Sequence, residues 1–394
     1  MNGSTNVWTT RYGFPIKVGF LATTAQIGGA ETNLLRIIQH AKTGGILPVL
    51  CVLPGDGPLA VAVQSLDVAT VFTSYHSWHK QYPFRYWYSV WNLARLIRSA
   101  TADVIHLNHQ WLVEFAVQAG RLARRPVVCH IRNLLGEGEL AQHSRWLRRA
   151  DAVIGVSQAV LEPLRSAGIA SNRLHLIYNG IDFDVLNGSR PSTYLHQLLD
   201  LTPETRLVGV IGRVVPEKGI AEFLMAAARV SREFRNTHFV IVGADDNKGR
   251  YVTQLTEQAA RLGLEQHVTF MGFRTDVPEI LHNLDVVVLP SRSDMPEGLP
   301  NTVLEALATG RLVIASRNSG VPEVIVDKQN GFLFDCDDIE GMAAAMMNAL
   351  WLEQREIDRI SERARNTVRN RTIDRQVEAL EGLYRQLLSG PHNG

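Results

Sequence analysis

The chain has only three cysteines, Cys51, Cys129 and Cys336. They are scattered, odd in number and lack metal-ligand spacing. Neither a disulfide framework nor a zinc module is expected, and the thiols read as small apolar residues of a reducing compartment. A surplus of either charge is also missing: 40 basic residues stand against 39 acidic ones, a formal net charge of +1. No global field draws the chain to a polyanion, so no nucleic-acid partner is expected. No apolar run reaches the ~20 residues that a membrane-spanning helix needs. Residues 1–15 are polar, without the apolar stretch of a signal peptide. A cytoplasmic protein is expected, open to peripheral contact with the inner membrane. Internal repeats and low-complexity tracts are lacking too. What is left is ordinary globular composition, 45% hydrophobic and 20% charged over 394 residues, too long for one core and suited to two domains.

Against these absences stands a regular alternation. Short β-rich runs fall at 17–22, 48–53, 69–73, 104–108, 126–131, 152–156 and 174–178, with helical stretches such as 31–42, 86–100 and 111–124 between them. The pattern breaks over 182–204, where Asn187-Gly188-Ser189-Arg190-Pro191 and Thr202-Pro203 read as a linker. Alternation resumes with runs at 206–211, 238–242, 268–271, 286–289, 312–315 and 332–334, and the charged tail after Asp338 is helical in pattern. Strands alternating with helices predict parallel sheets covered on both faces. The expected fold class is therefore α/β, with two Rossmann-like, doubly wound domains. The first spans 15–185, the linker 186–204 and the second 205–372. A final helix at 373–394 is placed so that it can pack back on the first domain. Ligands of such sheets bind beyond the carboxyl ends of the strands, so the residues following each strand are the informative ones.

Two such loops stand out in the second half. The run at 286–289 leads through a polar loop to Glu297-Gly298-Leu299-Pro300, where a helix is predicted to start. The free N–H groups and positive end of that helix favour an anion. Gly298 lets backbone approach a ligand. Glu297 precedes the helix and Glu305 lies about one and a half turns inside it. A carboxylate can accept two hydrogen bonds at once, which matches a vicinal diol. The second loop, Gly212-Arg213-Val214-Val215-Pro216-Glu217-Lys218-Gly219, follows the first strand of its domain and sets two cations five residues apart. Fixed cations there would stabilise negative charge on a bound anion.

Together these residues resemble the retaining glycosyltransferases of family GT4, whose signature is two glutamates separated by seven residues, as Glu297 and Glu305 are. The resemblance covers roughly 18–350 and implies the GT-B fold, two domains facing a cleft. It implies that Glu305 holds the ribose of a nucleotide and that Glu297 meets hydroxyls of the donor sugar. Gly298 and Leu299 would face the diphosphate and sugar, and Arg213 and Lys218 would bind the pyrophosphate without a metal or other cofactor. Gly212, Gly243 and Phe273 match further donor-side positions, Phe273 where the family loop approaches the base. In the first half, Gly28-Gly29-Ala30-Glu31 matches a family turn that implies contact of Gly28 and Gly29 with donor phosphate or acceptor. His130 falls where the family places a histidine beside the transferring sugar.

Other residues carry weaker claims. His109 could orient the acceptor or simply pack. The segment 75–88 is dense in aromatics, and Trp78 and Trp87 within it suit stacking on a saccharide or lipid-linked acceptor, or contact with a membrane interface. Asp245-Asp246 and Asp337-Asp338 lack the partners of a metal site, so none is expected. The function expected is transfer of a hexose-type sugar from a nucleotide diphosphate sugar, UDP first, to a saccharide or lipid-linked acceptor in cell-surface glycan or polysaccharide synthesis. A non-catalytic nucleotide- or glycan-binding scaffold and a Rossmann-type oxidoreductase are the alternatives. The glycine spacing at 28–29 disfavours the oxidoreductase.

Overall fold

The computed structural model describes residues 14–41, 44–74, 83–186, 193–245, 249–294 and 297–390. Trp78 lies outside the described residues.

The chain divides into two compact units. Seven strands build the first: β1 (Ile16–Leu21), β2 (Ile46–Leu53), β3 (Thr70–Phe72), β4 (Val104–Leu107), β5 (Val127–Ile131), β6 (Ala152–Gly155) and β7 (Leu174–Leu176). They lie in the order β3-β2-β1-β4-β5-β6-β7, and every pairing is parallel. The second unit holds β8 (Arg206–Ile211), β9 (Thr237–Val242), β10 (Val268–Gly272), β11 (Val286–Leu289), β12 (Leu312–Ser316) and β13 (Phe332–Phe334). Their order is β10-β9-β8-β11-β12-β13, again all parallel. The central strands β4, β5, β6, β11 and β12 are buried along their whole length. This burial is why they read as Val/Ile-rich runs rather than as alternating ones.

In each sheet the winding reverses once, between β1 and β4 in the first and between β8 and β11 in the second. At these switch points two neighbouring loops leave the sheet in opposite directions and open a crevice.

The division falls between Gly180 and Ile181. The part of the 186–204 segment that is described does not run free. It forms a short helix, Tyr194–Leu198, inside the second unit. Tyr194 donates to Asp276 Oδ2 at 2.6 Å, the Leu195 amide to Asn283 at 3.2 Å, and the His196 ring meets the Thr205 carbonyl at 2.9 Å. Its turn-forming residues suggested a bare linker because a helix this short leaves no periodic pattern. The last helix, Ile373–Ser389, belongs to the first unit. Ile373, Val377, Leu380, Leu383 and Tyr384 form its buried stripe at helical spacing, packed into the core of β1, β2 and β4. The helix is fixed by Gln376, which bonds Asn33 and the Gly180 amide, and by Glu381, which accepts the Gly45 amide at 3.0 Å.

Candidate functional site

At the second unit's switch point, β8 runs into Gly212 and Arg213, and a single 3₁₀ turn, Pro216–Lys218, ends at Gly219. Gly219 has φ 69°, and a Cβ on it would overlap the Pro290 carbonyl oxygen just past β11. Glycine is therefore required on two counts, and its absence of a side chain lets the two loops touch. The Arg292 amide completes the seam by donating to the Glu217 carbonyl at 3.0 Å.

Across this seam the Lys218 ammonium is paired with the Glu297 carboxylate. Glu297 also accepts from the Ser291 hydroxyl at 3.1 Å and is only 7% exposed. Burial, then the neighbouring Arg213 guanidinium, pull Lys218 down to about 8. The Glu297 charge acts in the opposite direction. Glu305, 9% exposed, sits inside the helix Asn301–Thr309, and Pro300 is the residue just before its first turn. Leu299 is buried, and the Gly298 carbonyl accepts the Gly320 amide at 3.0 Å, tying in the loop after β12. Ser316, at the end of β12, adds a bond from its hydroxyl to the Ser291 carbonyl at 2.7 Å.

The loops after β9 and β10 extend this edge. The Val214 amide donates to the Ala244 carbonyl at 2.8 Å and the Gly243 amide to the Gly272 carbonyl at 2.9 Å. A Cβ on Gly243 would collide with the Gly212 carbonyl, so packing alone demands glycine there. Phe273, 71% exposed, follows the edge strand β10, two strands away from β8. The structure thus brings Gly212, Lys218, Glu297, Gly298 and Leu299 onto adjoining loops. Ser291, which sequence reasoning passed over, holds one oxygen of Glu297.

At the first unit's switch point the Gly28-Gly29 turn opens the helix Gly29–Ala41. The Gly28 amide is engaged by Glu31 Oε2 at 3.2 Å, half of a capping box. It is thus bonded within the protein in this state. Glu31 Oε1 in turn meets His109 Nε2 at 3.2 Å and Asn108 at 3.4 Å. Burial pushes the Glu31 carboxyl up, but the His109 contacts and the backbone amides more than offset it and leave it below its ordinary value. The His109 ring stacks on Trp111, centroids 5.2 Å apart.

Beneath lies a buried polar layer. Arg132 donates to Asn33 at 2.6 Å, Asn179 at 3.0 Å and Asn108 at 2.8 Å. Burial lowers it to about 9, partly offset by Glu31 and Tyr384. His130 is fully buried. Its Nδ1 lies 3.3 Å from His106 Nε2, and His106 Nδ1 lies 2.6 Å from the Tyr384 hydroxyl. Its Nε2 has no hydrogen-bond partner among the described residues. Of this layer, His130 was singled out in the sequence. Asn33, Gln376 and Tyr384 gave no signal, because they arrive from helices remote in sequence.

Among the described residues no group of three or more His, Cys, Asp or Glu is arranged to hold a metal ion. No helix among them is long and apolar enough to cross a membrane.

Two parallel, doubly wound α/β units, the second with a cation–carboxylate pair at its switch point, define a GT-B-type architecture. Known proteins bear this out over both halves. Residues 27–185 match the model of Glycosyltransferase Family 4. Residues 196–367 match that of group 1 glycosyl transferases. The chain belongs to the GT4-type glycosyltransferases. It is 27% identical over 258 residues to the lipopolysaccharide core biosynthesis mannosyltransferase LpsB of Rhizobium meliloti, covering 63% of this chain and 70% of that one. It is 24% identical over 323 residues to an Escherichia coli UDP-Gal:alpha-D-GlcNAc-diphosphoundecaprenol alpha-1,3-galactosyltransferase, covering 75% and 78%. Among solved structures, Anabaena Alr3699/HepE in complex with UDP-glucose superposes with a TM-score of 0.79 at 26% identity, covering 93% of this chain and 100% of that one.

Proposed function

We propose that this glycosyltransferase moves a hexose-type sugar, with retention and without a metal, from a UDP-sugar to a saccharide or lipid-linked acceptor in cell-surface glycan synthesis. The observation that carries the reading is the Lys218–Glu297 pair at the switch point of the second unit, on loops locked together by Gly219 and Pro290. A diphosphate is the ligand such a place favours: a cation held in a largely buried setting, glycine-lined backbone, and a helix start close by. Glu297 is then free to exchange Lys218 for hydroxyls of the sugar, and Glu305 takes the ribose diol. In the first unit, His130 is assigned a hydrogen bond to the transferring sugar, and Gly28 and Gly29 a place near phosphate or acceptor. UDP is favoured because Anabaena HepE was solved with UDP-glucose and the E. coli relative is a UDP-Gal transferase.

The bond from the anomeric carbon to the diphosphate oxygen breaks and one to the acceptor oxygen forms on the same face. The acceptor's hydroxyl proton passes to the departing phosphate oxygen. Arg213 and Lys218 stabilise the charge that gathers there, the task a metal performs elsewhere. A panel of nucleotide sugars in a thermal-shift assay, followed by turnover of the best binder and NMR of the product anomer, tests the reading. An inverted product refutes retention, and loss of activity in EDTA refutes metal independence.

Acceptor and membrane meet in a second feature. The helix Pro83–Ser99 exposes Phe84, Trp87, Tyr88 and Trp91, spaced i, i+3, i+4, i+7, and the same face continues into Arg95 and Arg98. The Arg95 guanidinium lies 5.7 Å from the Trp91 ring centre. Aromatic rings beside arginines suit the headgroup layer of an anionic bilayer, where a lipid-linked acceptor resides. Sedimentation with phosphatidylglycerol vesicles should retain the wild type and release Trp87→Ala/Trp91→Ala. Equal binding of both proteins refutes this role.

A further inference from the structure

Three neutral groups are strung through the core of the first unit: the Tyr384 hydroxyl, the His106 ring and the His130 ring. All three side chains are fully buried. Burial, then the Arg132 cation, lower His106 to about 3 and hold His130 well below the usual histidine range, so each ring carries one proton. Burial raises the Tyr384 hydroxyl, which therefore keeps its proton.

Only two arrangements of these protons satisfy both contacts. In one, Tyr384 donates to His106 Nδ1, His106 Nε2–H donates to His130 Nδ1, and the single proton of His130 sits on Nε2. In the other every direction is reversed. His130 Nδ1–H then donates to His106 Nε2, and His106 Nδ1–H to the Tyr384 oxygen. The reversed arrangement strands two groups, the tyrosine proton, for which no other acceptor is found among the described residues, and the lone pair of His130 Nε2. The first strands one, the Nε2–H. The 2.6 Å separation of the tyrosine oxygen from His106 Nδ1 suits a hydroxyl donor.

We propose that Tyr384, on the last helix of the chain, is a positioning residue for sugar transfer: through His106 it locks His130 in the Nε2–H form, making His130 a hydrogen-bond donor. The proposal rests on the reading that His130 meets the transferring sugar. The ring has no exposed surface, so a neighbouring group must give way when a sugar oxygen arrives. An unpartnered buried N–H is the group that gains most from that oxygen. A histidine in the other form would offer only a lone pair, useful against a sugar hydroxyl but of the wrong polarity for a ring or glycosidic oxygen.

The test is long-range ¹H–¹⁵N correlation of histidine-labelled protein, with His130 assigned from His130→Gln. In the wild type, His130 should show a protonated Nε2. In Tyr384→Phe its two nitrogen shifts should move toward one another as both forms become populated. In steady state Tyr384→Phe should lower kcat/KM for the donor about two- to tenfold, the span expected for one lost hydrogen bond. The same substitution made in His130→Gln should then have no further effect. A wild-type His130 protonated on Nδ1 overturns the proposal by itself, including where Tyr384→Phe does not fold. A Tyr384→Phe protein with lower stability but unchanged His130 shifts overturns it as well. If the Nε2–H lock is seen while His130→Gln keeps the wild-type KM and kcat, the lock stands and the sugar-contact reading fails.

Discussion

Replacing Lys218 with methionine removes one charge and keeps most of the side-chain volume. In the free protein the change has two opposing effects. The ammonium no longer has to be held in a buried place that pulls it to about 8, and Glu297 loses its cation while keeping Ser291. Truncating one partner of a buried pair leaves the other charge uncompensated, at about 3–5 kcal/mol for full burial. Glu297 keeps one hydrogen bond and Lys218 is one-fifth exposed, so the loss of stability should fall below that range. Catalysis should suffer separately. A charge-assisted hydrogen bond to the leaving diphosphate contributes about 1.5–3 kcal/mol, so kcat/KM should drop roughly 10- to 150-fold. The pH dependence gives an independent reading. The free-protein value of about 8 lies below the ordinary 10.5, and a bound diphosphate favours the charged form. Donor affinity should be full below pH 8 and weaken as pH rises above it, by up to tenfold per unit. Stability runs the other way. Between about 8 and 10.5 the unfolded chain holds a proton that the folded one has released, so this group's contribution to stability rises with pH. Isothermal titration with the donor between pH 6.5 and 9.5, with steady-state kinetics and chemical denaturation over the same range, on wild type and Lys218→Met, tests all of it. If the variant keeps kcat/KM within twofold, or its donor affinity shows the same decline above pH 8, Lys218 does not hold the diphosphate.

Glu305→Gln keeps shape and removes charge; donor affinity should fall about 10-fold or more, the loss of a charged hydrogen bond to the ribose, and unchanged affinity in calorimetry would remove Glu305 from the site. Gly219→Ala meets both a φ of 69° and the Pro290 carbonyl, so it should lose at least about 1–3 kcal/mol in chemical denaturation together with donor binding. A wild-type melting point with intact binding would show that the seam is not under that constraint. Alkylation of the native protein should reach half-buried Cys336 first. Cys51 and Cys129 are buried, Cys51 with its thiol pushed up to about 12 and Cys129 raised further, so rapid loss of either thiol in peptide mapping contradicts the packing described.

All thirteen strands were legible in the amino-acid sequence. A strand buried on both faces is mostly apolar, and its neighbours in an α/β chain are amphipathic helices, so the signal is local. The glycines, cations and glutamates after β8 and β11 were legible for the same reason: each loop is one continuous segment. Sequence alone therefore determined the fold class, the two-unit organisation and the pieces of the candidate donor site. Only tertiary structure decided how those pieces engage. It paired Lys218 with Glu297 across 79 positions of chain (218 to 297) and set Ser291 beside the carboxylate. It placed Tyr384 against His106, 278 positions away. Such partners leave no periodicity to read, since a buried polar group is satisfied by whatever donor or acceptor the fold carries to it, from any distance along the chain.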